Sequence, residues 1–261
     1  MQDCGTQFTD SHWLTKLLTR FQLLTGSTGS LGLHVLERLL YQEDIKTVFC
    51  LVRASSQAAA SRRVFTALQA NFSSALSQHK HKIRTFAGDI SRDDLGLESA
   101  VLEEVKANLS LVIHCAWTVN FNLGVRSFEE QHILGTRNLI QLCLAVRRSS
   151  PARFVFCSSI SAALGSPRNS PVLEEPITDP RYAQNTGYGR SKYVAEQLVK
   201  RASDQGADSC ILRIGQIVGD TKMGIWNTSE AIPLMIQTAD TLRCLPALNL
   251  VCLYAAMLLL S

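Results

Sequence analysis

The sequence contains no C-x-x-C pair. Its eight cysteines, Cys4, Cys50, Cys115, Cys143, Cys157, Cys210, Cys244 and Cys252, stand singly, most of them inside apolar runs such as TVFCLV and FVFCSS. That pattern excludes a zinc ribbon or a thioredoxin-type motif, so no metal is expected and the thiols read as buried and free in a reducing compartment. Charge of one sign is equally scarce in blocks: no like-charge run exceeds Arg62-Arg63 or Arg147-Arg148, and the formal net charge is +4. A nucleic-acid partner is therefore not expected. No internal repeat, low-complexity linker or secretory leader is visible, since residues 1 to 20 are polar and broken by Asp3, Asp10 and Lys16. The apolar tail LNLVCLYAAMLLLS is shorter than the ~20 residues a spanning helix needs. The sequence thus predicts no membrane span and a cytoplasmic location.

What the chain does have is the composition of a globular α/β protein: 261 residues, 46% hydrophobic and 18% charged. Near-continuous apolar runs recur at 21–25, 47–52, 83–87, 111–115, 153–158 and 209–214. Helix-like segments separate them near 30–41, 57–79, 98–107, 128–148 and 188–205. Strands buried on both faces and alternating with helices predict a doubly wound parallel sheet, a Rossmann fold whose ligands bind at the carboxyl ends of the strands. The stretch 165–187 holds Pro167, Pro171, Pro176 and Pro180 and reads as a loop. The expected organisation is an N-terminal extension over 1–20, a dinucleotide-binding domain over 21–220 and a partial substrate region with an apolar tail over 221–261.

TGSTGSLG, residues 25 to 32, follows the first strand and opens the first helix. Gly26, Gly29 and Gly32 in that context suit a pyrophosphate cradle: glycines let backbone approach the phosphates, and the helix N-terminus offers free N–H groups. The alternative is a small-residue turn packed on a neighbouring helix.

YGRSK places Tyr188 and Lys192 four apart, on one helical face, where the ammonium is expected to lower the phenol's pKa. Twenty-nine residues before Tyr188, FCSSIS ends a strand with Ser158 and Ser159. A strand-end hydroxyl, from Ser158 or Ser159, to bind a carbonyl, a tyrosine to move its proton and a lysine for ribose hydroxyls compose a hydride-transfer site. Arg53 lies twenty-one positions past Gly32, where an acidic residue would select a 2′-hydroxyl and an arginine a 2′-phosphate. With Arg62 and Arg63 following, NADPH is the expected cofactor; a solvated strand-end charge is the alternative for Arg53.

The strings LLTGSTGSLG, LVRAS, GDIS, HCAWTVNF, YGRSKYVAE and LRIGQIVGDTKMGIWNTSEAIPLMI together resemble the thioester reductase domains of fungal nonribosomal-peptide-synthetase-like enzymes and carboxylic acid reductases. These are extended short-chain dehydrogenases/reductases related to the male-sterility and fatty acyl-CoA reductase proteins. The resemblance covers roughly 21 to 248 and implies NADPH-dependent release, as aldehyde or alcohol, of an acyl or peptidyl chain held as a thioester on a phosphopantetheinylated carrier protein. It implies Ser159, Tyr188 and Lys192 as the catalytic set and a cofactor site lined by Gly26, Thr28, Gly29, Leu31, Gly32, Arg53, Arg63, Asp89, Ile90, Ala116, Asn120, Tyr188, Lys192 and Ile214, with Asp89 at the adenine edge. For Asp89 and Asn120, loop capping is the competing reading. The chain departs from that family by lacking upstream adenylation and carrier segments and by an incomplete substrate subdomain, so a fragment that self-associates through its tail is expected. A reductase or epimerase acting on a free carbonyl or nucleotide-sugar, and a non-catalytic NADP-binding protein, are the alternatives.

Overall fold

A computed structural model describes residues 21–167, 171–219, 224, 226–228 and 230–244. The expected extension over 1–20 and the tail from 245 onward lie outside the described residues, as does its predicted self-association.

Six strands form one sheet: β1 (Phe21–Thr25), β2 (Thr47–Val52), β3 (Ile83–Ala87), β4 (Leu111–His114), β5 (Arg153–Ser159) and β6 (Ser209–Ile214). Their order is β3-β2-β1-β4-β5-β6 and every pairing is parallel. The sheet is wound from its centre in both directions, as the run of apolar strands predicted. Since β1 pairs with both β2 and β4, the chain reverses its winding there, and a crevice opens at the carboxyl ends of these strands.

The alternation of β1 and β2 explains the two cores. Leu23, Phe49 and Leu51 face one side, with Phe154 and Phe156, under α4 (Ser99–Asn108), α5 (Gly135–Leu144) and α6 (Gly187–Asp204). Leu24, Val48, Cys50 and Val52 face the other, under α1 (Ser30–Tyr41), α2 (Gln57–Asn71) and α3 (Ser73–His79). All six residues of β2 are buried, which is why TVFCLV carries no charged position and only Thr47, at its first residue, is polar.

Three elements differ from expectation. The helix expected over 57–79 is broken at Phe72, whose backbone leaves the helix (φ −141°, ψ 54°) and whose ring meets His34 edge-on at 4.9 Å. The segment expected to be helical from 128 begins as a 3₁₀ turn, Val125–Phe128, and a π turn, Glu129–Leu134, before α5 starts at Gly135. A further helix, α7 (Ala231–Leu242), lies in the region expected only to be a partial substrate segment; Pro233 sits in its first turn, where a missing N–H costs nothing.

Candidate functional site

The glycine turn joins β1 to α1 at the reversal point. Gly26 has φ +74°, and a Cβ there would sit 2.7 Å from the backbone nitrogen of Ala116, so only glycine fits against the end of β4. A Cβ on Gly32 would overlap the Gly26 carbonyl, so this glycine holds the helix against the turn and faces away from any ligand. Gly29 differs from both: its hypothetical Cβ meets only the Gly26 oxygen, at an ordinary 3.5 Å. Packing does not demand glycine at 29, which leaves that face of the loop open to a close-approaching group. Gly29 is also the N-cap of α1, and no side chain caps the helix, so its first N–H groups remain available to an anion.

Above this turn lies a cleft of about 280 Å³ lined by Gly26, Thr28, Gly29, Arg53, Arg63, Asp89, Ile90 and Ala116 among the predicted residues. The cradle, the uncapped helix end and the two guanidinium groups fit a dinucleotide diphosphate. Arg63 donates to the Arg53 carbonyl (2.5 Å) and to Thr28 Oγ1 (3.3 Å), tying α2 to the glycine turn, while both arginine side chains remain exposed. Arg62 does not line the cleft. Asp89 Oδ1 accepts from Ser91 N and Oγ (2.9 and 2.7 Å) and from Gln131 Nε2 (3.3 Å), so it caps its own loop while lining the cleft. Desolvation works to raise its pKa, but the hydrogen bonds from Ser91 and Gln131 and the charge of Arg53 outweigh it and hold the carboxyl below its usual range.

Gln131 and His132 are residues that sequence reasoning missed. The π turn directs Gln131 between Asp89 and Arg53, whose Nη1 donates to Gln131 Oε1 at 3.2 Å. His132 stacks on Trp117 (centroids 4.8 Å apart, planes at 26°) and shares a 3.0 Å hydrogen bond with Thr118 Oγ1. Burial, with Lys192 and Arg53 adding repulsion, lowers its pKa to about 4 against the opposing influence of the Ala116 backbone, so the ring is neutral. The EEQHIL segment reads as ordinary amphipathic helix; only the widened turn aims these two side chains at the cleft.

The predicted catalytic set lies beside the cleft rather than in its lining. Ser159 ends β5, Tyr188 opens α6 and Lys192 follows one turn on; all three are buried. Thr186 caps that helix, its Oγ1 accepting from Gly189 N at 3.1 Å. The Ser159 hydroxyl faces the phenol of Tyr188, and that contact works to lower the phenol's pKa, yet burial dominates and the net direction is upward. The expected depression by lysine is thus corrected. Lys192 Nζ donates to the Cys157 carbonyl at 2.7 Å and stands 5.9 Å from the centre of the Tyr188 ring. Its own pKa falls to about 7 because it is buried, against the opposing influence of Cys157, Cys115 and Glu196. The rings of Trp117 (4.0 Å) and Phe156 (4.9 Å) also favour its ammonium form.

Behind the set, Glu196 accepts from Ser158 Oγ (2.5 Å) and from Arg213 Nη2 (2.9 Å), and Arg213 also donates to the Glu175 carbonyl (3.0 Å). One buried carboxylate therefore joins β5, α6, β6 and the proline-rich loop. Leu31, in the first turn of α1, and Ile214, at the end of β6 opposite Ser159, stand outside the 280 Å³ cleft. Asn120 is exposed, and its Oδ1 accepts from Asn122 N at 2.9 Å, which is the loop-capping geometry. Among the described residues no helix is long and apolar enough to cross a membrane, and no three metal-ligating side chains cluster.

The sheet order, the glycine turn and the cleft at the reversal point define an NAD(P)-binding domain of the Rossmann type, with Ser159, Tyr188 and Lys192 buried together at its edge. The chain belongs to the male sterility protein family, whose model matches residues 24–251. It is 35% identical over 227 residues to the adenylate-forming reductase Nps10 of Heterobasidion annosum, covering 86% of this chain and 20% of that protein. To the non-reducing polyketide synthase pkiA of Emericella nidulans it is 32% identical over 231 residues, covering 87% of this chain and 9% of that protein. In three dimensions it is similar to the terminal R domain from the myxalamid PKS-NRPS biosynthetic pathway (TM-score 0.75, 30% identity), covering 86% of this chain and 56% of that domain. The chain thus spans a fifth or less of these two curated relatives and just over half of the solved domain.

Proposed function

We propose that this chain is the NADPH-binding part of a reductase acting on acyl or peptidyl thioesters presented by a phosphopantetheinylated carrier protein. The observation that carries the reading is the placement of Ser159, Tyr188 and Lys192 at the ends of β5 and α6, beside a cleft whose opposite rim bears Arg53 and Arg63. The likeness to an adenylate-forming reductase and to an R domain of a PKS-NRPS pathway supports a substrate handed over by such an assembly.

A nicotinamide cofactor bound in the cleft supplies the hydride. The protein's part is at the carbonyl oxygen. The Tyr188 phenol, whose pKa is pushed up by burial, keeps its proton at neutral pH and donates it to that oxygen, while the Ser159 hydroxyl holds the oxygen by hydrogen bonding. The hemithioacetal formed from the substrate then breaks down to aldehyde and thiol. Lys192, buried among Trp117, Phe156 and Tyr188, fixes the helix face that carries the phenol and offers Nζ to ribose hydroxyls. Arg53 and Arg63 select the 2′-phosphate by charge-assisted hydrogen bonds.

The test is an assay of NADPH oxidation with acyl-pantetheine and carrier-bound acyl thioesters, run beside simple ketones and UDP-sugars. Turnover of thioesters alone is the expected result. Turnover of ketones or sugars without thioesters would replace this reading with that of a free-carbonyl reductase or epimerase, and binding of NADPH without any turnover would leave a dinucleotide-binding protein.

A further inference from the structure

We propose that Cys115 and Cys157 form a reversible disulfide at the floor of the cleft, closed by a peroxide and excluded by bound dinucleotide. The two thiols are brought together by the sheet. In the β4–β5 register His114 lies opposite Phe156, so the next step along each strand sets Cys115 beside Cys157. Their sulfurs are 3.4 Å apart, and closing to the ~2.0 Å of a disulfide needs only a small side-chain adjustment. Cys115 lines the cleft and is partly exposed, so a small oxidant that enters the cleft reaches it.

Within the pair, Cys115 is pushed well above its ordinary value by its hydrogen bond to Cys157 and by burial, against the Lys192 charge, and it is Cys157 that differs from the other buried thiols. Burial pushes the Cys50 thiol up to about 12 despite the Ser27 hydroxyl, and raises Cys143 as well. Cys157 is held below its ordinary value by the hydrogen bond from Cys115 and by the Lys192 charge, which together outweigh desolvation. Lys192 is anchored there, its Nζ on the Cys157 carbonyl at 2.7 Å. The Cys157 thiolate takes the Cys115 proton across their 3.4 Å contact, the Cys115 sulfur attacks peroxide and takes one oxygen, and the hydroxide released recovers that proton from Cys157, giving the sulfenic acid and water. The Cys157 thiolate then attacks the Cys115 sulfur, the S–S bond forms, the S–O bond breaks, and the departing hydroxide takes the proton Cys157 gave up. Two thiols are oxidised and one peroxide is reduced to two waters; a dithiol reverses the link by exchange.

The bond would reach both halves of the site. Ala116, the neighbour of Cys115, is the residue against which Gly26 packs, and the Cys157 carbonyl is the anchor of Lys192. A dinucleotide in the cleft would in turn cover Cys115. The exclusion part of this proposal rests on the dinucleotide reading of the cleft, whereas the link itself does not.

The full chain, reduced and then treated with hydrogen peroxide, is alkylated and digested, and the peptides are mapped by mass. The expected product joins the Cys115 and Cys157 peptides with loss of two hydrogens and disappears on treatment with dithiothreitol. Cys115→Ser and Cys157→Ser each abolish it; should either variant misfold, the wild-type map still decides. At ten times its Kd, NADP+ leaves about one-eleventh of the protein free, so crosslinking slows roughly tenfold. Sulfinic acid at Cys115 with Cys157 free, or links to other cysteines instead, would overturn the disulfide. An unchanged crosslinking rate under NADP+ that titration shows to be bound would overturn the exclusion. If NADP+ does not bind the reduced protein at all, the cofactor reading fails and takes the exclusion with it, while the link is still judged by the map.

Discussion

The two sides of the cleft are built on opposite principles. On the β1–β2–β3 side, polar groups face outward: Arg53 and Arg63 are exposed, and their bonds to the Gln131 and Thr28 side chains are long, at 3.2 and 3.3 Å, although Arg63 also donates to the Arg53 carbonyl at 2.5 Å. On the β4–β5–α6 side, polar groups face inward: Ser159, Tyr188, Lys192 and Glu196 are buried, and Lys192 and Glu196 are held by bonds of 2.7 and 2.5 Å. The first side leaves its hydrogen-bonding capacity for a ligand. The second spends it on holding reactive groups still, as preorganised chemistry requires. Binding and chemistry should therefore separate under mutation, with changes on one side altering affinity and changes on the other altering turnover or stability.

The largest separation is expected at Tyr188. Tyr188→Phe removes the proton and keeps the ring that meets Phe121 at 5.2 Å and Phe128 at 6.4 Å, so the fold and the cleft are undisturbed. Turnover of an acyl-pantetheine thioester should fall by about 10²- to 10⁴-fold, the usual worth of general acid catalysis. The Kd for NADPH, read by fluorescence titration, should not change. Equal losses in both would mean that the two sides are one mechanical unit and that the contrast drawn above is false.

Lys192 sharpens the same contrast through pH. Its pKa is lowered from 10.5 to about 7 in the folded protein by burial. Below pH 7 the lysine is protonated folded and unfolded, and the full cost of burying the charge is present. Between 7 and 10.5 the unfolded chain binds the extra proton, so stability rises with pH until the cost is gone. Lys192→Met should abolish turnover yet stabilise the fold at pH 6, by something on the order of 3 kcal/mol once the lost ring contacts are set against the relieved charge. The gain should vanish near pH 10, as followed by urea denaturation at pH 6, 8 and 10. A gain independent of pH would show that the ammonium is not penalised in its aromatic surroundings.

How far the sequence could foresee this contrast depends on what each side is made of. The fold was legible because parallel strands are written as runs rich in apolar residues: FQLLT, TVFCLV, IRTFA and SCILRI match β1, β2, β3 and β6 residue for residue, even though β3 and β6 lie at the sheet edges and β6 is only half-buried. The placement of the glycine turn, Arg53 and Asp89 along the cleft was legible because a backbone turn and two strand ends fix it without reference to distant residues, and Arg63 follows Arg53 on the next helix, α2. Gln131 and His132 were not, since the π turn that aims them depends on how Phe128 and Gly135 pack, and a helical repeat carries no mark of one widened turn. The direction of the Tyr188 shift was also beyond reach. Spacing places a lysine one turn away, but only the sheet shows that Nζ is engaged by the Cys157 carbonyl and that burial governs the phenol. Glu196 hides for the same reason, because its partners Ser158 and Arg213 come from two other elements.

On the binding side, Arg53→Ala should weaken NADPH by roughly 1.5 to 3 kcal/mol, the worth of a charge-assisted hydrogen bond, and leave NADH nearly unaltered. Turnover at saturating NADPH should stay close to that of the parent. Isothermal titration with both cofactors makes the comparison, and Arg63→Ala serves as its partner because Arg63 is tied to both the Arg53 carbonyl and Thr28. Equal weakening of NADH and NADPH would show that the arginine shapes the rim and does not read the phosphate.

The smallest effects give the finest test, because a helix cap on each side can be removed by the same substitution. Ser56 Oγ accepts from Ala59 N at 3.2 Å at the start of α2, the helix that carries Arg63. Thr186 Oγ1 accepts from Gly189 N at 3.1 Å at the start of α6, immediately before Tyr188. Ser56→Ala and Thr186→Ala should each cost about 1 kcal/mol of stability, the ordinary value of a lost cap. Their functional consequences should differ. Arg63 lies two turns into α2 and is exposed, so fraying at Ser56 leaves it free to re-form its contacts, and NADPH affinity should scarcely move. Tyr188 is the second residue of α6 and is buried, so fraying at Thr186 shifts the phenol itself and, on the proposed function, should lower kcat several-fold with KM for the cofactor unchanged. Urea midpoints set the two losses on one scale, and steady-state rates then show whether equal damage to the two helices has unequal effects on turnover. Matched kinetic losses from the two variants would mean that helix stability alone, and not the inward-held geometry of the β4–β5–α6 side, sets the rate.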